Sequence, residues 1–285
     1  MNKVALITGS TRGIGRCMVE KFAQNGYDIV VTGKTLVENE KTPGTIYSVS
    51  EEIRNKYNVR TLPGQLDIRK ESHIEDVVNK TVQLFGRIDV LINNAGALWW
   101  DTVLNTPCEK FDLINDVNVR GSYLMARECI PHMMKNEDGG HIIMHSPPLP
   151  EPTDTSIYKS KAGYMVSKLG MTMVAMGMAE ELRDSKIRVN TIWPQTPVKS
   201  YALMNFGIGE EKLWRKPEII ADSVYSICQE GTDFTANQLI DEHYLMTKGE
   251  TDFSKYRCDP DFEPPSLNNM FDNIIHRDFK MSSHL

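Results

Sequence analysis

The chain has 285 residues, 40% hydrophobic and 25% charged, a balance that excludes disorder on a large scale. A formal net charge of -6 argues against a nucleic-acid partner, since a phosphate footprint needs a surplus of clustered Lys and Arg. The apolar runs are strand-sized and fall far short of the roughly 20 residues that span a bilayer, so no membrane span is expected.

In chain order, Met1-Asn2-Lys3 leads directly into a short buried strand at Val4 to Thr8, with no secretory or transit segment expected ahead of it. A glycine-rich turn then opens a helix from about Ile14 to Asn25, and Asp28 to Thr32 is the next strand. Helical spacing over Ile46 to Tyr57, a strand at Thr61 to Leu66, a helix at Ser72 to Phe85 and a strand at Arg87 to Asn93 continue the alternation. The second half repeats it with a long helix at Phe111 to Lys135, a strand at His141 to His145, a helix at Ala162 to Arg183 and a strand at Ile187 to Ile192. A helix near Pro217 to Gln229 and a strand near Gln238 to Asp241 close the series.

Short apolar strands alternating with amphipathic helices are the βαβ signature, which predicts an α/β, doubly wound, mostly parallel sheet of seven strands with helices on both faces. No internal repeat or long linker divides the chain, so residues 1-246 are expected to form one Rossmann-type domain and residues 247-285, rich in Pro and charge, a C-terminal tail. The five cysteines form an odd set without CxxC spacing, which favours reduced thiols. His141 and His145 stand roughly 13 Å apart along a strand, so no protein-bound metal is expected.

Thr8-Gly9-Ser10-Thr11-Arg12-Gly13-Ile14-Gly15 lies at the first strand-to-helix turn, where glycines let the backbone approach a pyrophosphate at a helix N-terminus. At the tip of the second strand, where an acidic residue normally accepts the adenosine ribose, the chain reads Val31-Thr32-Gly33-Lys34. The missing carboxylate removes a repulsion, and Lys34 with Arg12 supplies two cations for a 2′-phosphate, so NADP(H) is the expected cofactor. Tyr164 and Lys168 sit four apart on a predicted helix and share a face, where the ammonium is expected to lower the proton affinity of the phenol.

These motifs, with Asn93-Asn94-Ala95-Gly96 ending the fourth strand, Asn118 on the long helix and Ser146 after the fifth strand, resemble the classical short-chain dehydrogenase/reductase family. The resemblance runs from residue 4 to about 246. It implies that Tyr164 exchanges the proton, Ser146 orients the substrate oxygen, Lys168 activates Tyr164 and binds the nicotinamide ribose, and Asn118 holds a water linked to Lys168. It also implies adenine contact by Asp67, a cofactor cleft lined by Asn94, and a homodimer or homotetramer.

Some features depart from the family pattern. Ser146 precedes Tyr164 by 164 − 146 = 18 positions rather than about a dozen, across the stiff Pro147 to Pro152 segment, Pro194-Gln195 replaces Pro-Gly, and Thr235-Ala236 replaces a late Thr-Gly. Ser146-Pro147-Pro148-Leu149, Gly177 to Glu181 and Trp193-Pro194 resemble a hydroxysteroid dehydrogenase-like subgroup. That likeness and Ser283-His284-Leu285, close to the S-K-L address, predict a peroxisomal import receptor as partner and a peroxisomal location, with the cytoplasm as the alternative. The expected activity is NADP(H)-linked interconversion of a carbonyl and a secondary alcohol on an apolar substrate, such as a lipid-derived or fatty acyl compound. A cofactor-binding sensor with little turnover and an enoyl-thioester reductase are the alternatives.

Overall fold

A computed structural model describes residues 1–38, 43–150 and 158–267. Seven parallel strands, β1 (Val4–Ile7), β2 (Asp28–Gly33), β3 (Thr61–Gln65), β4 (Val90–Asn93), β5 (Gly140–His145), β6 (Ile187–Trp193) and β7 (Gln238–Ile240), form one sheet. Their order is β3-β2-β1-β4-β5-β6-β7. The chain reverses direction across the sheet between β1 and β4, the switch point at which open α/β sheets bind ligands beyond their carboxyl ends.

Two apolar layers flank the sheet. On one face α1 (Gly13–Gln24), α2 (Ile46–Tyr57), α8 (Glu218–Ile227) and α9 (Asp241–Thr247) bury Met18, Phe22, Ile53, Ile220 and Tyr244. On the other, α3 (Glu71–Phe85), α5 (Ser122–Met133) and α6 (Ala162–Glu181) bury Ile74, Val78, Met125, Cys129, Met171 and Ala175. Because both faces are covered, the strands read as apolar runs rather than alternating ones. The doubly wound sheet expected from the sequence is therefore the fold. No helix among the described residues is long and apolar enough to cross a membrane.

The long helix expected over Phe111 to Lys135 is instead α4 (Cys108–Asn115), a π-helical turn over Asp116–Gly121, and α5. A π turn widens the helix by one residue and recurs at functional sites. The short α7 (Tyr201–Asn205), capped by the Ser200 hydroxyl on the Leu203 amide, was too brief to show a period in the sequence. Ala236, where the family pattern has glycine, adopts φ +61°, with its amide on the Val189 carbonyl.

The boundary expected at residue 246 falls inside α9, and the described residues beyond it pack against the domain. Tyr256 is buried with its hydroxyl on Asp222, and the fully buried Arg215 bonds Glu242 at 2.6 Å and Glu263 at 2.6 Å. Ser283, His284 and Leu285 lie outside the described residues.

Candidate active site

The cleft beyond the carboxyl ends of the strands is a cavity of about 1050 Å³ that runs from the glycine-rich turn to Tyr164 and Lys168. The end of β1 and the end of β4 are locked together by Thr8. Its hydroxyl donates to the Ile92 carbonyl at 3.2 Å and accepts the amides of Asn94 and Ala95, each at 2.9 Å. Asn94 returns its side-chain NH2 to the carbonyls of Thr8 at 2.9 Å and Gly9 at 3.2 Å. Backbone approach is so close that a Cβ on Gly15 would stand 2.3 Å from the Gly9 carbonyl, while Gly9 itself takes φ +64°. Only glycine satisfies both positions.

Gly9, Thr11, Arg12, Gly13, Ile14 and Gly15 line the cavity, but Ser10 does not. Its wholly buried hydroxyl accepts the Thr32 amide at 2.9 Å, so Ser10 pins the turn to β2 and does not face a cofactor. At the tip of β2, Lys34 is exposed and Arg12 half-buried, both on the cavity wall. The Arg12 guanidinium donates to Thr35 Oγ1 at 2.5 Å and lies 5.9 Å from the Tyr201 ring centre. Its buried Nε has no partner among the described residues, and no carboxylate there pairs with the guanidinium. A desolvated cation with an unsatisfied donor, beside a second cation and with no acid at the ribose position, fits a phosphate on the adenosine ribose. Asp67 lines the same end, its carboxyl pulled down to about 2 mainly by hydrogen bonds from Arg69.

At the other end of the cleft, α6 places Tyr164 and Lys168 one turn apart on the cavity wall. Lys168 Nζ donates to the His145 carbonyl at 2.8 Å, lies 5.7 Å from the Trp193 ring centre, and is drawn down to about 8 by burial. Burial pushes the Tyr164 phenol up, contrary to the expected lowering by Lys168. Desolvation outweighs attraction here because the ammonium is turned to the backbone of β5.

Asn118, at the π turn, is buried behind this wall rather than on it. Its Oδ1 accepts the Ala97 amide at 2.8 Å, and its Nδ2 donates to the Ala97 carbonyl at 3.0 Å and to Ser167 Oγ at 2.9 Å. The gap between it and the ammonium is kept by Gly96, whose Cβ would stand 3.4 Å from Asn118 Oδ1 and 3.7 Å from Lys168 Nζ.

The expectation that Ser146 faces the substrate fails on strand geometry. Successive side chains alternate across a sheet, so Ile143, His145 and Pro147 share one side, while Ile142, Met144 and Ser146 point toward α6. Ser146 is fully buried and its hydroxyl lies 2.8 Å from Thr172 Oγ1. Thr172 in turn donates to the Pro147 carbonyl at 2.6 Å, so the proton between the two hydroxyls comes from Ser146. His145 and Pro147 line the cavity in its place, a result that counting alternate residues along β5 could have given.

Sequence reasoning also passed over Trp100, whose ring centre lies 6.1 Å from that of Tyr164, Leu267, and any role for Gln195 beyond a departure from pattern; all three line the cavity. Leu98, Leu113, Leu169 and Ile208 add apolar side chains to the cavity wall.

A parallel doubly wound sheet with a glycine-rich turn at the first strand-to-helix junction and a Tyr-Lys pair on the same cleft is an architecture of the Rossmann class. The short chain dehydrogenase family model matches residues 3–205, and the chain belongs to that family. Hydroxysteroid dehydrogenase-like protein 2 of Danio rerio is 41% identical over 255 residues, covering 89% of this chain and 60% of that protein. The Homo sapiens protein of the same name is 40% identical with the same coverage, and across the curated relatives reported the chain spans 48% to 60% of their length. Among solved structures, a short chain dehydrogenase from Mycobacterium thermoresistibile is 37% identical with a TM-score of 0.85, covering 93% of each chain. A metagenomic short-chain oxidoreductase in complex with NADP is 25% identical with a TM-score of 0.67, covering 84% of this chain and 96% of that one.

Proposed function

We propose that this chain interconverts a carbonyl and a secondary alcohol on an apolar substrate, using NADP(H). The observation that carries this reading is the shared cavity. It has at one end the Arg12 guanidinium, which meets no carboxylate among the described residues, and at the other the Tyr164-Lys168 pair, with apolar side chains among its lining. The glycine turn from Gly9 to Gly15 would take the pyrophosphate, Arg12 and Lys34 the 2′-phosphate, Asp67 the adenine, and Asn94 and Lys168 the nicotinamide ribose. When bound, NADPH supplies the hydride. Tyr164 would give its proton to the substrate oxygen, and Lys168 would stabilise the phenolate left behind.

Asn118 acts through position. By clamping Ala97 and Ser167 it fixes the wall against which Lys168 rests.

The test is turnover of a panel of apolar ketones and aldehydes with NADPH and with NADH. Tyr164→Phe is expected to lower kcat by roughly 10² to 10⁴-fold while NADPH still binds, since general-acid catalysis is removed and the cradle is untouched. Retention of most of the rate would overturn the assignment. One observation favours a second reading, a cofactor sensor of low turnover: Pro147, on the cavity wall in place of Ser146, carries no hydroxyl. Binding of NADPH without turnover of any carbonyl would support that reading.

A further inference from the structure

The turned-away Ser146 leaves the substrate oxygen with Tyr164 alone, and one neutral hydrogen bond seldom fixes a carbonyl for hydride attack. The donors around Tyr164 are few. Asn94 commits its NH2 to two carbonyls, so its Oδ1, 3.4 Å from His145 Nδ1, is the acceptor and Nδ1 carries the proton. Burial, helped by the charge of Lys168, holds that imidazole neutral, with its titration brought down to about 3, so the other ring nitrogen offers a lone pair and no proton. Lys161 lies over the Trp100 indole at 5.5 Å and both side chains are engaged in further contacts, while His243, on the cavity wall, is exposed.

Gln195 remains. It follows β6 two residues beyond Trp193 and lines the same cavity as Tyr164. Its backbone is held on both sides, the amide donating to the buried Asp241 Oδ1 at 2.7 Å and the carbonyl accepting the Leu267 amide at 2.8 Å. Its side-chain amide makes no hydrogen bond among the described residues. We propose that the Gln195 carboxamide, carried on this fixed backbone, donates to the substrate carbonyl oxygen beside Tyr164 and so performs the orienting task that Ser146 cannot reach. A primary amide suits this because its N–H stabilises the negative charge that develops on the oxygen without itself changing charge.

This inference rests on the carbonyl-reduction reading, and its test separates the two. With the best apolar ketone from the panel, Gln195→Leu is expected to lower kcat/KM roughly 100-fold, as loss of an oxyanion donor does, with NADPH affinity unchanged by fluorescence titration. Gln195→Glu, of nearly the same shape, is expected to be as slow at pH 8 and to recover as pH falls and its carboxyl gains a donor proton. Ser146→Ala is expected to keep kcat/KM within a few-fold. Wild-type turnover with an equally active Gln195→Leu, a Gln195→Glu without acid recovery, or a large loss in Ser146→Ala would overturn the inference and leave carbonyl reduction standing. Absence of turnover in the wild type would overturn both.

Discussion

At the β1-β2 end of the cleft, polar side chains are tied to backbone: Thr8 and Asn94 bind carbonyls and amides, and Ser10 accepts the amide of Thr32. At the β6-β7 end the equivalent work is done by ionisable groups, with buried Arg215 joined to buried Glu242 and exposed Glu263, and the fully buried Asp241 carboxyl holding the amides of Gln195 and Glu242. At both ends the partners are distant in sequence, Thr8 and Asn94 standing 86 positions apart and Arg215 and Glu263 48, but at the first end most partners are backbone groups that any residue supplies. In the ion network each partner must carry a particular charge, and its strength depends on removing that charge from water. The first end therefore depends on backbone geometry, and the second on placed charge.

That contrast can be broken most sharply at Arg215. Arg215→Ala leaves Glu242 buried without its partner and frees Glu263, and is expected to reduce stability by about 3–5 kcal/mol in urea unfolding. An equal loss on cutting an exposed pair such as Lys80–Asp76 would show that the network has no special weight.

The next effect is at Asp241. Burial raises its titration to about 7 from 3.8, with the charge of Glu242 pushing the same way and hydrogen bonds from Gln195 and Glu242, and the charge of Arg215, opposing. A raised carboxyl binds its proton more tightly in the folded chain, so its contribution is full below about pH 4 and is lost as pH rises through about 7. Asp241→Asn keeps the Oδ1 acceptor and is expected to flatten this fall, recovering on the order of 2–4 kcal/mol between those limits. Thermal melts of the two proteins across that range measure it; parallel curves would mean that the carboxyl does not titrate there.

The smallest expected change sharpens the other end. Arg12→Ala should weaken NADPH by roughly 10- to 100-fold, the loss of about 1.5–3 kcal/mol for hydrogen bonds to a charged group, and leave NADH nearly unchanged. Equal weakening of both cofactors in parallel titrations would place Arg12 on the pyrophosphate instead.

The same division explains what could be read from the chain in advance. The inner strands were legible because burial on both faces makes each an apolar run, such as Val4 to Ile7 and Ile142 to Met144, whereas the edge strands Thr61–Gln65 and Gln238–Ile240 are less buried and were placed by the alternation with helices. The glycine turn, Lys34, Asp67, Tyr164 and Lys168, singled out by their short offsets from strand and helix ends, lie along one cavity. Ser146 was misread because motif order carries no information about which side of the sheet a side chain takes, and the proline after it hid the alternation. Gln195 and Arg215 were not recognised as anchors, since their partners Asp241, Glu242, Glu263 and Leu267 lie up to seventy-odd residues away and only folding brings them together.

The π turn at Asp116–Gly121 has a mechanical effect on how the helical layer is assembled. Each residue of an α-helix advances the side chains by about 100°, so one added residue rephases everything that follows. α4 can thus present Ile114 toward α6, while α5 turns Met125 and Cys129 into the layer shared with α3, two orientations that a single uninterrupted spiral could not offer. Excising one residue from that turn would straighten the rod and swing Asn118 out of register with Ala97.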